Sequence, residues 1–325
     1  MPPCRICGSI SIGRSSKYQS ADWPMMYCVS CRASYVEADI DPELLRQFYR
    51  YKDYGSRVYS EWGLLKELRR RDYTQLLIHA EALLGKSGTL LDVGCSAGAF
   101  LTVAYERGWS VRGIEWDADT AASAPAVLRS QISVGDVSDL VRSMPSADVI
   151  TFNHVLEHLA DPVSILAAAR LHLKPKGLIL IRVPNADSLA SRLMGSKWRW
   201  FSPPIHLCYF TPYSIRIVAR RLGLQLIEMA ERRGDGHTLP LELLASAGVA
   251  KLGGGVRCVG KTSDRHSILR GVSSTAERIF EVLDHIPIVS NLGLAVDNNE
   301  IVAWLSKLPE DERSTIPSPR GKNDA

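Results

Sequence analysis

A glycine-rich turn followed by a carboxylate is the feature that most constrains what this chain can fold into. The apolar run 90–93 contains Asp92 and leads into Gly94-x-x-x-Gly98, and a second apolar run ends on Glu115. Glycines between a strand and a helix let a ligand approach the backbone where a Cβ atom would clash. A carboxylate about 20 residues farther on can accept hydrogen bonds from both hydroxyls of a ribose. The pattern predicts a site for a ribose-containing ligand.

Short apolar runs alternate with helical stretches from Thr89 onward, which predicts a parallel sheet with helices packed on it. Further strands are predicted before Asp136 and over 147–152, 178–183 and 222–228. A last strand over 300–304 is expected to pair antiparallel beside the strand over 222–228.

The turn lacks the Gly-x-Gly-x-x-Gly pattern of dinucleotide enzymes and resembles the first motif of class I S-adenosylmethionine-dependent methyltransferases. The resemblance implies an α/β fold, a doubly wound, mostly parallel seven-stranded sheet in the order 3-2-1-4-5-7-6. It also implies roles for particular residues. Asp92, Gly94 and Gly98 would surround the methionine part of the cofactor, and Glu115 would bind its ribose.

Three more residues complete the predicted cofactor site. Asp136 follows Gly135 after a short strand, where the family hydrogen-bonds the adenine amino group. Cys95 lies within the glycine turn, and Asn153 ends strand four. Ser96 replaces the middle glycine of the family pattern, a mild departure that is acceptable if that position has a negative φ.

The segment after strand four contains His154-x-x-Glu157-His158 and then Asp161-Pro162. It resembles the methyltransferase subgroup that includes the ubiquinone-pathway O-methyltransferases. Some members of that subgroup hold a divalent metal there through acidic residues and the histidine. Glu157 and His158 match those positions, but His154 stands where the first acidic residue would be, so a metal site stays open. The run from His154 to His158 also matches the inverted zinc-protease signature. That signature requires both histidines on one long helix, whereas this run follows a buried strand.

Candidate catalytic residues come from this segment and from a later aromatic loop. His154, at the strand end, could take a proton from the acceptor, while Glu157 and His158 either take part or only fix the loop. The loop over 195–212 is dense in Trp, Phe and Tyr and contains His206, a second candidate base. Its aromatic residues could bind a sugar or other small ring, or could serve packing alone.

Four cysteines near the start are spaced as two pairs, Cys4-x-x-Cys7 and Cys28-x-x-Cys31. Two such pairs predict a tetrahedral site for a structural zinc ion. About 30 residues cannot bury a stable core, so metal binding would supply most of the folding free energy of this module.

The predicted organisation is a Cys4 zinc ribbon over 1–40, a linker and amphipathic helix over 41–85, and a class I methyltransferase domain over 86–308. An insertion is expected at about 231–296 and a disordered tail over 309–325. No secretory signal and no run of about 20 apolar residues is evident, so we expect a cytoplasmic protein without a membrane span. A homodimer is possible.

The predicted function is S-adenosylmethionine-dependent methyl transfer to a hydroxyl oxygen of a small molecule or a sugar or glycan. The alternatives are C- or N-methylation of a nucleotide sugar, and a cofactor-binding scaffold without catalysis. Nucleic acid is not expected as partner. The net charge is only +4, and Asn153 is not followed by the Pro-Pro-aromatic motif of many base-methylating enzymes.

Overall fold

A computed structural model of the chain describes residues 2–37, 63–232 and 299–308, with the backbone alone over 63–68. Three predicted segments lie wholly or mostly outside these residues: the Tyr-rich linker, the insertion and the C-terminal tail.

Eleven strands, eight helices and two short 3-10 turns form the secondary structure of the described residues. The strands are β1 Ile12–Arg14, β2 Met25–Cys28, β3 Ser34–Val36, β4 Thr89–Val93, β5 Ser110–Glu115, β6 Ile132–Val134, β7 Ala147–Asn153, β8 Leu173–Pro184, β9 Cys208–Tyr209, β10 Leu224–Arg232 and β11 Glu300–Lys307. The helices are α1 Gly63–Leu84, α2 Ala99–Glu106, α3 Ala118–Ala122, α4 Ala126–Arg129, α5 Val137–Ser143, α6 Pro162–His172, α7 Leu189–Met194, α8 Pro212–Arg221. The two 3-10 turns are Leu156–His158 after β7 and Gly195–Lys197 after α7.

The main sheet has seven strands in the order β6-β5-β4-β7-β8-β11-β10. Pairing is parallel from β6 to β8, and β11 pairs antiparallel with both β8 and β10. Numbered within this sheet, the order is 3-2-1-4-5-7-6, which confirms the predicted topology. Strand β11 continues to Lys307, beyond the predicted end at 304, because Ser306 still pairs with Leu178 of β8.

Helices cover both faces of this sheet, as a parallel sheet requires. Alternate residues of a strand point to opposite faces, so Leu90 and Leu180 pack with α1 and α2. Leu91 and Ile181 belong to the other core, which α5, α6 and α8 cover. The carboxyl ends of β4, β5 and β7 meet at one edge, where open α/β sheets bind ligands.

The N-terminal strands form a second, four-stranded sheet in the order β1-β2-β3-β9. Its last strand comes from the aromatic loop of the main domain, since Ser34 pairs with Tyr209 and Tyr35 with Cys208. The ribbon therefore shares a sheet with the loop, a contact that its predicted boundary at residue 40 did not suggest.

Across the parts of the chain described above, no helix combines the length and the apolar character needed to cross a membrane.

Candidate functional site

The glycine turn joins β4 to α2 and has three residues with positive φ. Gly94 has φ 71° and Gly98 has φ 75°. A Cβ atom on Gly94 would lie 2.6 Å from a methyl carbon of Val155, in the loop after β7. Ser96 has φ 51°, so the condition of a negative φ, under which a serine is a mild departure from the family pattern, is not met. The turn keeps the left-handed conformation at Ser96 because its N–H bonds to the Glu115 carboxylate, with a donor–acceptor distance of 2.8 Å.

Glu115 ends β5 with its side chain 5% exposed. Its carboxylate accepts from the N–H groups of Ser96, Trp116 and Asp117, at 2.8 to 3.0 Å. Burial raises the pKa of Glu115, and these N–H bonds oppose that shift. The carboxylate is thus fixed beside the glycine turn, and its Oε2, which accepts only from Ser96, retains capacity for another hydrogen bond.

Asp92 and Asn153 meet across β4 and β7. Asp92 Oδ1 accepts from Thr151 Oγ1 at 2.5 Å and from Asn153 Nδ2 at 3.1 Å. Burial raises the pKa of Asp92 to about 7, against the effect of these two bonds. The Oδ1 atom of Asn153 is buried and has no hydrogen-bond partner among the described residues, so it is an acceptor suited to a ligand donor.

Asp136 and Cys95 contribute in different ways from Glu115. Asp136 is exposed and caps α5, accepting from Ser138 N at 2.7 Å. Cys95 points its thiol into the core against β5, where a Cβ atom on Gly113 would lie 2.5 Å from the sulfur. The same thiol donates to the carbonyl oxygen of Ser96 at 3.7 Å, and a contact of Cys95 with the cofactor stays a prediction.

His154 follows β7 with φ 55° and a ring held between two buried carboxylates. Its Nε2 lies 2.8 Å from Glu300 Oε1, and its Nδ1 lies 3.3 Å from Glu157 Oε1. Burial alone would lower the pKa of His154, but the two carboxylates outweigh it and raise the pKa to about 9. His154 is therefore mostly charged at neutral pH, and only its neutral fraction could act as a general base.

Glu300 lies at the centre of a buried ion network that the sequence analysis missed. Arg182 donates to Glu300 Oε1 at 2.8 Å, and Arg232 lies 3.3 Å from Oε2. Asp72 of α1 pairs with both arginines, at 3.0 and 2.9 Å. Burial would raise the pKa of Glu300, but the surrounding positive charges lower it to about 2. One signal of this network was present in the sequence: the charged Arg182 lies inside the otherwise apolar run 178–183.

Glu157, His158 and His206 come together from two loops. One ligand atom from each lies within 4.8 Å of the others, a spacing that could hold a metal ion. His206 is 3% exposed, and burial is the main cause that lowers its pKa to about 3. Such a ring is a very weak base, which argues against the predicted role of His206 in proton removal.

The aromatic rings of the loop over 195–212 pack against side chains of the loop itself, of the segment after β7 and of the ribbon. Trp200 stacks against His154 on one side and His206 on the other, at centroid distances of 5.7 and 6.0 Å. Phe201 stacks on Tyr18 of the ribbon at 5.1 Å. Trp198 is buried. Of the two predicted uses of these rings, packing is the one that this arrangement favours.

The four ribbon cysteines converge as the spacing predicts. Sulfur–sulfur distances are 3.8 Å for Cys4 and Cys31 and 3.5 Å for Cys7 and Cys28, and all four sulfurs lie within 4.8 Å of one another. Gly8 and Arg32 follow the two pairs with positive φ values. Zinc–sulfur bonds of about 2.3 Å in a tetrahedron place sulfurs about 3.8 Å apart, so this cluster fits zinc.

Comparisons with known proteins agree with this geometry. A family described as "Methyltransferase domain" matches residues 65–229, about half of the chain. A ubiquinone biosynthesis O-methyltransferase of Pseudomonas paraeruginosa is 33% identical over 114 residues, which cover 33% of this chain and 48% of that protein. One of the same name from Idiomarina loihiensis is 29% identical over 179 residues, 50% of this chain and 69% of that protein.

The match thus spans about half the length of the first of these relatives. A solved structure of an S-adenosylmethionine-dependent methyltransferase from Archaeoglobus fulgidus aligns at a TM-score of 0.49 and 17% identity, covering 82% of this chain and all of that one. From the family match and the sheet order, the chain belongs to the methyltransferase domain family, as the class I resemblance implied.

Proposed function

We propose that this chain transfers a methyl group from S-adenosylmethionine to a hydroxyl oxygen of a small molecule or a sugar. The observation that carries the proposal is the meeting of Asp92, Glu115 and Asn153 around the glycine turn, at the carboxyl ends of three neighbouring strands. Two of these residues are carboxylic acids and the third offers an unpartnered oxygen, a set suited to a ligand with ribose hydroxyls and an ammonium group.

Each part of the cofactor has a matching group. Glu115 would accept from the ribose hydroxyls, and Asn153 Oδ1 with Asp92 would face the amino group of the methionine part. Asp136 would approach the adenine. Gly135, next to it, donates its N–H to the Glu115 carbonyl oxygen at 2.9 Å, so the two acidic positions are neighbours in the fold.

When bound, S-adenosylmethionine supplies a methyl carbon that the sulfonium has already activated. The residues of the chain would then hold an acceptor hydroxyl in line with that carbon and take up its proton. Of the two predicted bases we favour His154, because its side chain is 27% exposed and follows the strand that ends at Asn153. Since its pKa is about 9, only the neutral fraction of His154 would take up the proton, so methyl transfer should rise with pH up to that value. Glu157 and Glu300 would keep its ring in place and support the proton it gains.

We also propose that Cys4, Cys7, Cys28 and Cys31 bind a structural zinc ion. Four thiolates close the coordination shell, so this ion would have no open position for catalysis. Its effect would be to stabilise the ribbon and, through β3 and β9, the aromatic loop.

The relatives named as ubiquinone biosynthesis O-methyltransferases favour an oxygen acceptor over carbon or nitrogen. The other readings remain as alternatives: C- or N-methylation of a nucleotide sugar, and a scaffold that binds cofactor without turnover. A cytoplasmic location and a homodimer stay predictions.

The experiment is a transfer assay with methyl-labelled S-adenosylmethionine against phenolic small molecules, sugars and nucleotide sugars. We expect a labelled O-methyl product, and a loss of turnover in His154→Gln with cofactor affinity unchanged. A labelled C- or N-methyl product would select the second alternative. Cofactor binding without transfer to any acceptor would favour the scaffold.

A further inference from the structure

Lys17 of the ribbon holds its ammonium group against the main domain without a counter-ion. The residue is half-buried, and its Nζ donates to the carbonyl oxygen of Ala186, two residues past the end of β8. Lys17 forms no salt bridge with any residue that the structure describes. The acid whose charge acts on it is Asp187, but that carboxylate pairs with Arg192 at 3.0 Å.

The single bond to Ala186 does not satisfy this ammonium group. The same carbonyl oxygen also accepts from Ser191 Oγ at 2.9 Å and from Tyr18 Oη at 3.3 Å, so three donors share two lone pairs. Burial lowers the pKa of Lys17 to about 8, a value at which the group is still mostly charged at neutral pH. A partly buried charge without an opposite charge is costly, which indicates that an anionic ligand binds there.

A row of aromatic rings connects Lys17 with His154, the favoured base. Lys17 Nζ lies 4.9 Å from the centroid of the Tyr18 ring, and Tyr18 stacks on Phe201 at 5.1 Å. The next residue, Trp200, stacks on His154 at 5.7 Å. Trp200 and Phe201 each keep part of their surface exposed. An acceptor whose hydroxyl lies at His154 and whose body follows this row would therefore bring its other end to Lys17.

The segment 186–200, against which Lys17 lies, is basic. Its charged residues are one acid, Asp187, and three bases, Arg192, Lys197 and Arg199. The ribbon adds no acid next to Lys17, since the first acid of the chain is Asp22. The charges around Lys17 thus favour an anionic group over a neutral or a positive one.

We propose that Lys17 binds a carboxylate or phosphate group of the acceptor, at the end remote from the hydroxyl that is methylated. An ammonium group binds either anion as a point charge with three donors. The inference rests on the proposed function, because it names the class of acceptor that the site takes. The family match begins at residue 65 and implies no role for a residue of the ribbon.

The test is calorimetric titration of the full-length protein, with S-adenosylhomocysteine present, against two matched pairs of probes. Glucose 1-phosphate is compared with glucose, and 4-hydroxybenzoate with phenol. We expect one of the two anions to bind at least about tenfold more tightly than its neutral counterpart, and the pair that shows this preference tells phosphate from carboxylate. Lys17→Met keeps the stem of the side chain and should abolish the preference, whereas Lys17→Arg should keep part of it.

Lys86→Met is the matched control, because Lys86 is exposed and lies near Asp148 at the amino end of β7, on the opposite edge of the sheet. It should keep the preference for the anion. Circular dichroism and S-adenosylmethionine binding report whether each variant folds.

A wild type that binds neither anion more tightly than its neutral counterpart would overturn the proposal. So would a preference that persists in Lys17→Met. Anion binding is measured here without turnover, so a negative transfer assay would count against the proposed function and not against this site.

Discussion

The cofactor side and the acceptor side of this site are assembled in different ways. On the cofactor side, Glu115 and Asn153 lie at the carboxyl ends of β5 and β7, the two strands that flank β4, and bond to β4 or to the turn after it. On the acceptor side, the side chains of Tyr18, His206 and Glu300 come from the ribbon, a loop and the last strand. The turn after β4 positions the residues of the cofactor side, whereas packing between segments distant in sequence positions those of the acceptor side. A change to the ribbon should therefore affect the acceptor side and leave the cofactor side unchanged.

The largest expected effect is that of removing zinc from the ribbon. Structural zinc contributes about 10–16 kcal/mol to the folding of small zinc modules at neutral pH. Cys28→Ser with Cys31→Ser should unfold the ribbon and expose 198–210, whereas the affinity for S-adenosylmethionine should change by less than about threefold. Hydrogen exchange of that segment and calorimetric titration measure the two effects.

The control for this experiment is Cys95→Ser, which removes a thiol outside the ribbon. It should leave the metal content and the protection of the loop unchanged. Unaltered protection of 198–210 in the ribbon variant would show that the loop does not depend on the ribbon.

A smaller effect is expected from Tyr18, which links the ribbon to the loop. Its ring stacks on Phe201 and packs at a tilt against Tyr209, each at a centroid distance of 5.1 Å, and its hydroxyl bonds to Ser191. Truncation of a fully buried aromatic residue costs about 3–5 kcal/mol, so Tyr18→Ala should lower the free energy of unfolding by that amount. Tyr18→Phe loses only the hydroxyl and should cost about 1 kcal/mol.

Urea unfolding measures both Tyr18 variants. The result that would contradict the role of Tyr18 is an equal, small effect of the two substitutions. Cofactor affinity should stay within about threefold of the wild type in either case, because Tyr18 contacts only the acceptor side.

The smallest of these three effects is expected on the cofactor side, from a substitution of Gly94. Gly94→Ala places a side chain at φ 71°, which costs about 1–2 kcal/mol, and brings a Cβ atom to 2.6 Å from Val155. We expect the turn to shift and the affinity for S-adenosylmethionine to fall about tenfold or more. Val155→Ala in the same chain should recover part of that loss.

Gly108→Ala is the matched control for Gly94→Ala. Gly108 has φ 85°, and an added Cβ atom there would meet nothing within 4 Å. This variant should lose stability but bind the cofactor normally in calorimetry. Equal losses of cofactor affinity in both variants would show that backbone strain alone, without the Val155 contact, accounts for the effect.

The contrast also explains what could be predicted from the sequence. The strand order followed from the family resemblance that the motifs carry. The place of Glu115 followed from a turn and a carboxylate that are near each other in the chain. The acceptor side could not be predicted in the same way. Neither Glu300 nor Tyr18 has a local signature, because the first receives its role from Arg182 and the second from Phe201, both distant in sequence.

One departure on the cofactor side was local as well. A serine at position 96 was acceptable only with a negative φ, yet its φ is positive, and the hydrogen bond to Glu115 holds it there. The thiol of Cys95 fills the space left by Gly113, and the predicted contact of Cys95 with the cofactor stays a prediction. Neither of these two arrangements can be inferred from residue spacing.

The central claim is that Glu115 and the glycine turn bind S-adenosylmethionine. The most direct measurement is calorimetric titration of the wild type, Glu115→Ala and the control Glu106→Ala, whose side chain is an exposed partner of Arg70. We predict micromolar binding, about −8 kcal/mol, in the wild type and the control, and a loss of at least about 100-fold in Glu115→Ala. No binding by the folded wild type, or equal affinity in Glu115→Ala, would contradict the account.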